Sequence, residues 1–166
     1  MKKIFTFLLL ICCLAGFSQS TTLVISQVYG AGGNSGAVLN ADYVEIHNIS
    51  ATPQSLNGLS VQYESATPAG QWSGAAVLPN VSIPAGGYYL VQMSTPGSNG
   101  VPLPTPDFTA VIPMGGSNGI VAIINDIDTI TGCPSTNEID LVGYGTATCF
   151  EGASASPAIS ATLAAF

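Results

Sequence analysis

The chain has 166 residues, with nine acidic residues against two basic ones and a formal net charge of −7. Both lysines come before residue 4, so the chain after Lys3 has no basic side chain. Nucleic-acid binding relies on Lys and Arg at the phosphates, adhesion to anionic membranes relies on the same residues, and phosphoryl transfer needs a cationic or metal clamp. The composition therefore excludes the forms of these functions in which the protein supplies the positive charge.

The amino terminus has the pattern of a secretory signal peptide. Two lysines precede an apolar run from Ile4 to Leu14, and this run is too short to serve as a permanent membrane span. Small residues then follow, which predicts cleavage after Ser18, with cleavage after Ser20 as the alternative. We therefore expect residues 1–18 to be removed when the protein is exported, which predicts a secreted or cell-surface location.

Two cysteines inside the apolar run raise the alternative of a lipidated export signal. Lipidation requires a small residue directly before the modified cysteine, whereas Cys12 follows Ile11 and Cys13 follows Cys12. We therefore interpret both cysteines as apolar residues of the signal segment and predict no membrane span after cleavage.

After cleavage, 148 residues remain, from residue 19 to residue 166. A chain of this length suits one domain with a sizeable core. Cleavage removes both lysines and none of the nine acids, so the formal charge becomes −9. Charged residues make up 7% of the chain, and 19 glycines and 11 prolines are spread along it. This composition favours short strands and turns over helices, whose surfaces are usually rich in Lys and Glu.

Apolar residues recur with the period of β-strands along most of the domain. The strongest alternation runs from Asp42 to Asn48, where Val44 and Ile46 lie on one face. Residues 120–124 are all apolar, which predicts a central strand covered on both faces. The predicted strands are Leu23–Tyr29, Asp42–Asn48, Leu59–Glu64, a short segment that begins at Trp72, Tyr88–Met93, Phe108–Ile112, Ile120–Ile124 and Glu138–Tyr144.

About eight short strands separated by turns rich in glycine and proline predict an all-β fold of the sandwich type. In the strand that begins at Leu59, we expect Leu59, Val61 and Tyr63 to point inward. Residues 94–107 are rich in proline, glycine and serine and predict a surface loop. The small apolar tail, Ala153–Phe166, has no regular period, so no element is predicted there.

Two cysteines remain after export, Cys133 and Cys149. An even number of cysteines in an exported chain predicts a disulfide. The alternative is a metal site, but this needs further ligands nearby, and the single histidine, His47, is distant in the sequence. The disulfide is the favoured interpretation.

Several segments in a fixed order carry a resemblance to a known family. They are Asp42–Asn48, Leu56–Tyr63, Pro84–Val91, Leu103–Asp107, Asp140–Gly145 and Cys149–Gly152. Together they resemble the bacterial, secreted branch of the lamin-tail domain family, over a region from about Leu23 to the end of the chain. The resemblance implies an immunoglobulin-like β-sandwich without catalytic residues of its own. Similar domains accompany extracellular nucleases and phosphatases or repeat in large cell-surface proteins.

The resemblance also bears on the end of the sequence. Members of that branch usually continue after the Cys149–Gly152 segment into an arginine and a stretch rich in Asp and Asn, whereas this sequence stops at Phe166. Our hypothesis is that the sequence is the amino-terminal piece of a longer product.

Asp42, Glu45 and His47 lie close together in the sequence and are candidates for acid–base catalysis. Strand alternation, however, places Asp42 on the face opposite Glu45 and His47. A polar outward face is therefore the favoured interpretation, and we predict no catalytic residue. The glycine-rich segment 30–36 is predicted to be a flexible loop, because a phosphate loop needs a following helix and, in its Walker form, a lysine.

Asp126 and Asp128 are the candidate metal ligands, and calcium is the one cofactor they suggest. They provide two acids at the spacing of a calcium loop, but the glycine and the distal glutamate of that loop are missing. The alternative is a polar hairpin turn after a buried strand, which we favour.

Four aromatic residues are candidates for a platform that binds a sugar or a peptide. They are Tyr63, Trp72, Tyr88 and Tyr89. Neighbouring residues of a strand point to opposite faces, so Tyr88 and Tyr89 cannot both join one platform. Aromatic residues of a sandwich usually pack in the core or on a sheet face, and this is the favoured interpretation.

The sequence thus predicts an exported, non-catalytic module for interaction or structural support in a larger secreted or cell-surface protein. Its expected partner is a protein or a cell surface, with no direct binding of nucleic acid. One alternative is an accessory domain of a secreted, metal-dependent nuclease or phosphatase whose catalytic domain lies outside this sequence. A second alternative is a calcium-dependent adhesion module.

Overall fold

The computed structural model describes residues 20–134 and 136–166, so the signal peptide predicted for residues 1–18 lies outside the described part of the chain. All regular elements in the described residues are β-strands, and these residues include no helix that is long and apolar enough to cross a membrane. The strands are β1 (Leu23–Tyr29), β2 (Tyr43–Asn48), β3 (Gln54–Ser55), β4 (Ser60–Glu64), β5 (Gly74–Val77), β6 (Ser82–Ile83), β7 (Tyr88–Gln92), β8 (Phe108–Thr109), β9 (Gly119–Ile124) and β10 (Glu138–Tyr144).

These strands form two four-stranded sheets that pack face to face. The first sheet has the order β1-β2-β7-β8 and the second has the order β10-β9-β4-β5, while β3 and β6 form a separate small ribbon. All pairs are antiparallel except β7 and β8, which are parallel. The predicted all-β sandwich is confirmed, with ten strands instead of about eight. The two additional strands have two residues each, which is too short for any alternation to be visible in the sequence.

The main core lies between the two sheets and follows the alternation of the strands. Val44 and Ile46 on β2 are fully buried in it, as their alternation predicts, together with Val61 on β4 and Val91 on β7. Such residues stabilise the fold through the apolar area that they remove from water. The sandwich is therefore specified by the period-two pattern of its longer strands.

The second sheet is covered on its outer face as well. A smaller core there contains Trp72, Leu141 and Cys149, and it packs on side chains of β9. All six residues of β9 are buried, and β9 lies between β10 and β4, which confirms the predicted central strand covered on both faces. Trp72 itself lies just before β5, and its indole N–H donates to the carbonyl of Gly132 at 2.7 Å.

The inward residues predicted for β4 are buried, but so are the residues between them. Ser60 and Gln62 are fully buried because the segment after β9 covers them. The amide of Gln62 donates to the carbonyl of Asp128 at 2.8 Å and accepts the N–H of Ile130 at 3.0 Å. The hydroxyl of Ser60 donates to the carbonyl of Asp126. Hydrogen bonding to this covering segment allows a strand with polar residues to be buried on both faces.

Cys133 and Cys149 form a disulfide with Cα atoms 5.6 Å apart, as the sequence predicts. Cys133 lies in the segment after β9 and Cys149 in the segment after β10, so the disulfide joins the two segments that cover the second sheet. Gly143 on β10 makes this close packing possible, since a side chain there would collide with the carbonyl of Cys149.

The tail, for which the sequence predicts no element, runs back along the edge of β1. Ala165 pairs with Val28 through two backbone hydrogen bonds of 3.0 and 2.9 Å. The hydroxyl of Tyr29 donates to the carbonyl of Ala161 at 2.6 Å. The tail therefore satisfies one part of an edge strand, and within residues 20–134 and 136–166 no strand pairs with the rest of that edge.

Candidate functional site

A cavity of about 670 Å³ lies between the edges of the two sheets. β1 is an edge strand of the first sheet and β10 is an edge strand of the second, and both contribute to the cavity wall. Val24 and Ile25 come from β1 and residues 140–143 come from β10. The rest of the lining is formed by Glu151, Gly152, residues 154–157 and Phe166. The register of β1 shifts between Ile25 and Gln27, at a bulge of the kind that often interrupts pairing at sheet edges.

Asp140 on β10 reaches across this gap to the other sheet. Its Oδ2 accepts the backbone N–H of Ile25 at 2.6 Å, and the residue is 6% exposed. An inward-pointing charge at a sheet edge is a known way to prevent uncontrolled pairing with other strands. Asp140 therefore holds the two sheets together at the cavity and blocks one hydrogen-bonding position of the β1 edge.

Two further carboxylates lie close to Asp140. Burial raises the pKa of Asp140 to about 7, against the opposing hydrogen bond from Ile25, and the neighbouring charges of Glu151 and Glu138 raise it further. Burial and Glu151 also raise the pKa of Glu138. The side chains of Asp140 and Glu151 also share a hydrogen bond, which raises the pKa of Asp140 further, and the buried Oε1 atom of Glu151 has no N–H partner among the described residues. The cavity therefore concentrates negative charge, and the sequence provides no Lys or Arg beyond residue 3 to neutralise it.

The raised pKa of Asp140 predicts an unusual dependence of stability on pH. A carboxyl group with a folded-state pKa near 7, above its ordinary value of 3.8, binds a proton more tightly in the folded protein. Its stabilising contribution is complete at low pH and is lost as the pH rises through 7. We expect the free energy of unfolding to fall by about 2 to 3 kcal/mol between pH 5 and pH 8.

The variant Asp140→Asn provides the control for this prediction. Its amide oxygen can still accept the N–H of Ile25, but the group no longer titrates, so chemical unfolding at several pH values should give a flatter profile. Glu138 and Asp42, whose pKa values burial also raises, would contribute a remaining slope of the same sign. A wild-type domain that becomes more stable from pH 5 to pH 8 would contradict the assignment.

The structure separates the three residues that were candidates for acid–base catalysis. Asp42 is 4% exposed, and its carboxylate accepts the N–H groups of Gly32 at 2.8 Å and Met114 at 2.9 Å. Glu45 and His47 lie on the opposite, outer face of β2, as the alternation predicts. The hydroxyl of a serine on β1, residue 26, donates to the Glu45 carboxylate at 2.7 Å. Asp42 is thus a structural acceptor with no access to a substrate.

The glycine-rich segment 30–36 has a structural role that the sequence does not indicate. The N–H of Gly32 donates to the buried carboxylate of Asp42, so this backbone group is directed at the protein's own acid instead of a phosphate. A side chain at position 32 would collide with the backbone of Ala41. The close approach of two backbones explains the glycine at this position.

Three of the four aromatic residues considered as a platform belong to the interior. Tyr63, Trp72 and Tyr89 are between 3% and 8% exposed, whereas Tyr88 is 58% exposed. Tyr88 stacks on His47, with ring centroids 4.1 Å apart and planes within 8°. The favoured interpretation, aromatic packing, is confirmed for the three buried rings, and no shared platform forms.

The candidate calcium ligands form a turn. The Oδ1 atom of Asp126 accepts the N–H groups of Ile127 at 2.7 Å and Asp128 at 3.1 Å, which closes a local Asx-type turn. Among residues 20–134 and 136–166, no cluster of three or more His, Cys, Asp or Glu side chains has an arrangement that could hold a metal. Calcium binding by Asp126 and Asp128 stays a prediction, and a melting curve with and without calcium would test it.

The sequence indicates in part that Asp140 is buried at this cavity. Asp140 lies on the same face of β10 as Val142 and Tyr144, and these two apolar residues pack in or against the main core. An acid on the inward side of a strand is a mark of a buried carboxylate. No sequence pattern indicates that Glu151 lies beside Asp140, because its position depends on how the segment after β10 folds over the sheet.

Two sheets packed around a shared core, with no helix among the described residues, define an immunoglobulin-like β-sandwich module. The family model of the Lamin Tail Domain matches residues 17–146, which is most of the sequence. The chain therefore belongs to the lamin tail domain family, as the resemblance in the sequence predicts. No curated protein matches the sequence.

Proposed function

We propose that the domain is an exported, non-catalytic binding module that acts within a larger secreted or cell-surface protein. The observation that carries this proposal is the cavity between β1 and β10. It is formed by the edges of two strands and by side chains of mixed character, including Val24, Val142, Asp140 and Glu151. Concave sites with an apolar wall and a few polar groups are typical of binding sites.

The placement of the acids supports a non-catalytic role. Asp42 and Asp140 each accept buried backbone N–H groups, and Asp107 accepts the N–H of Leu90 at 2.8 Å. Burial acts to raise the pKa of Glu64, but hydrogen bonds from Ser65 and a further serine outweigh this effect, so its pKa lies below the ordinary value. Groups that are engaged in this way stabilise the fold and are poorly placed to move protons to or from a substrate.

The disulfide supports export. Disulfides persist in oxidising compartments and are rare in the cytosol, where thiols are kept reduced. The Cys133–Cys149 bridge joins two segments that cover the second sheet, so its formation is part of the native packing. A protein that depends on such a bridge is suited to a location outside the cytosol.

The proposal is tested with purified, oxidised domain comprising residues 19–166. Its binding to the envelope of the producing cells is measured by co-sedimentation, and hydrolysis of DNA and of a phosphate monoester is measured with magnesium or calcium. We expect saturable binding and no hydrolysis above that of a heat-denatured sample. Metal-dependent hydrolysis by this domain, or the absence of saturable binding, would contradict the proposal.

The alternative is that the module is an accessory domain of a secreted nuclease or phosphatase. It differs from the first proposal only in the kind of protein to which the module belongs. Reading the DNA beyond codon 166 distinguishes them, since a following nuclease or phosphatase domain would assign the module to that enzyme.

A further inference from the structure

We infer that residues 151–155 form a strap over the cavity between β1 and β10, and that a proton shared by two acidic side chains holds this strap closed. The strap is closed while Asp140 and Glu151 share the proton, and it opens when the proton is lost. This inference rests on the proposed binding function and adds a means of regulating access to its site.

The strap is fixed at both ends but not along its length. Cys149, on one side, is held by the disulfide to Cys133. Ser156, on the other side, makes two backbone hydrogen bonds of 2.8 and 2.9 Å to the end of β10 and the residue after it. Between these points, no residue of the strap makes a backbone–backbone hydrogen bond within the part of the chain that the structure describes, and residues 152–154 are exposed. A segment with so few contacts can open without unfolding the rest of the domain.

The side-chain contact that holds the strap is the pair of Asp140 and Glu151. Their side chains share a hydrogen bond. Two carboxyl groups can share such a bond only when one of them carries a proton, because an ionised carboxylate has no donor. With the proton, the pair has one negative charge and a hydrogen bond, whereas without it two negative charges lie side by side and repel each other.

The groups around the pair add to this repulsion. Glu138, also on β10, is the other acid whose charge acts on Asp140. β1 contributes Val24 and Ile25 to the cavity, and β9, which pairs with β10, has no titratable residue. Phe166 also lines the cavity, so in a domain that ends there the terminal carboxylate adds charge of the same sign. Among the described residues no Lys, Arg or His lines the cavity, so no base neutralises the second charge.

Glu151 is the member of the pair that moves. Asp140 is 6% exposed and is fixed between the sheets by the N–H of Ile25, whereas Glu151 is only partly buried and lies on the strap. When both acids are charged, Glu151 turns out to water and the strap moves with it. Burial, together with the neighbouring acids, raises the pKa of Asp140 to about 7, so opening is expected as the pH rises through neutrality.

The test measures the exposure of methyl groups in the ¹³C-methyl-labelled domain, residues 19–166, at pH 5.5 and pH 8.5. A neutral, soluble gadolinium chelate broadens the NMR signals of methyl groups that are accessible to solvent. We expect its effect on Val24 and Val142, which line the cavity, to increase at least about twofold at the higher pH, because an open strap uncovers them. Ile46 in the main core should stay protected, which establishes that the domain is folded, and the exposed Val111 should not change.

Glu151→Gln tests whether the shared proton is the cause. The amide of glutamine donates to Asp140 without titrating, so the strap should stay closed at both pH values. Asp128→Asn removes an exposed acid from the turn after β9, outside this cavity, and should open like wild type. A ¹³C titration of the carboxyl carbons of Asp140 and Glu151 should show the pair losing its shared proton at a pH of about 7, over the same range as the change in methyl exposure.

Four results would each overturn the inference. They are equal methyl exposure at the two pH values, opening that persists in Glu151→Gln, loss of the response in Asp128→Asn, and a pair that has lost its shared proton already below pH 5.

Envelope binding at the two pH values distinguishes failure of the strap from failure of the proposed function. We expect wild type to bind at least about threefold more tightly at pH 8.5, and Glu151→Gln to bind alike at both, since opening raises the fraction of molecules that can admit a partner. Binding without opening, or opening without any effect on binding, would remove the regulation and leave the proposed function intact. Opening with no envelope binding at either pH would leave the strap intact and contradict the wider role.

Discussion

Replacing Cys133 and Cys149 together with alanine should lower the free energy of unfolding by about 3 kcal/mol or more. A disulfide that closes a loop of this length, with a sequence separation of 16, stabilises by about 3 kcal/mol in the chain-entropy description. The expected loss is larger here because Cys149 is 2% exposed and packs in the smaller core with Trp72 and Leu141. Urea unfolding of the oxidised wild type and the variant measures the difference.

Trp72 gives a local readout of the same change. It is the single tryptophan of the chain, and its indole N–H donates to the carbonyl of Gly132, directly before Cys133. Loss of the bridge should loosen that segment and shift the tryptophan emission to longer wavelength, while the strand signal in circular dichroism persists. Reducing agent should reproduce both effects in the wild type and have no effect on the double-alanine variant. Two free thiols in the oxidised protein would refute the bridge.

Replacing Asp42 with alanine should lower the free energy of unfolding by about 2 to 5 kcal/mol, because two buried N–H groups lose their acceptor at about 1–3 kcal/mol each. These are the N–H groups of Gly32 and Met114, which belong to two different loops. Burial raises the pKa of Asp42 despite these hydrogen bonds, so relief of a buried charge offsets part of the loss. Urea unfolding measures the net effect.

Two comparisons make the Asp42 prediction specific. Asp42→Asn keeps one acceptor oxygen and should be less destabilising than Asp42→Ala. Asp128→Ala removes an exposed acid from the turn after β9 and should change stability by less than about 0.5 kcal/mol. Hydrogen exchange should become faster at the amides of Gly32 and Met114 in Asp42→Ala. If the alanine variant matched wild type in both stability and exchange, the structural role of Asp42 would be wrong.

The parts of the fold that the sequence could predict are those with a strong period. β1 and β10 have the predicted bounds, and β2 and β9 differ from prediction by one residue at one end. Their alternating or continuous apolar residues face a core that has to be filled, so local pattern and tertiary packing agree. The segment predicted for residues 108–112 is a strand only at residues 108 and 109, because its pairing with β7 ends there.

The parts that could not be predicted depend on contacts between distant segments. The tail has small apolar residues without a period, yet Ala165 pairs with Val28 because the edge of β1 offers free backbone groups. Gln62 reads as a polar outward residue and is nevertheless buried, because the segment after β9 supplies its hydrogen-bond partners. Covering segments of this kind become visible only when the chain is folded.

The candidate site was likewise predictable only in part. The inward position of Asp140 is indicated because it lies on the same face of β10 as Val142 and Tyr144. Its contact with the N–H of Ile25, which lies 115 residues earlier in the chain, depends on how the two sheets meet. The position of Glu151 beside Asp140 depends further on the packing of the segment after β10. Sequence patterns predict which side of a strand a residue occupies, but not which residue of the opposite sheet it meets.

The central claim is that this domain binds a partner through the cavity between β1 and β10. The most direct test compares Ser154→Trp, which places a bulky ring at the cavity wall, with Ser98→Trp, which places the same ring in the exposed connection between β7 and β8. Saturable binding to the envelope of the producing cells is measured for both folded variants. We predict that Ser154→Trp loses at least about tenfold in affinity, or 1.4 kcal/mol, and that Ser98→Trp binds like wild type. Equal binding by all three proteins would contradict the claim.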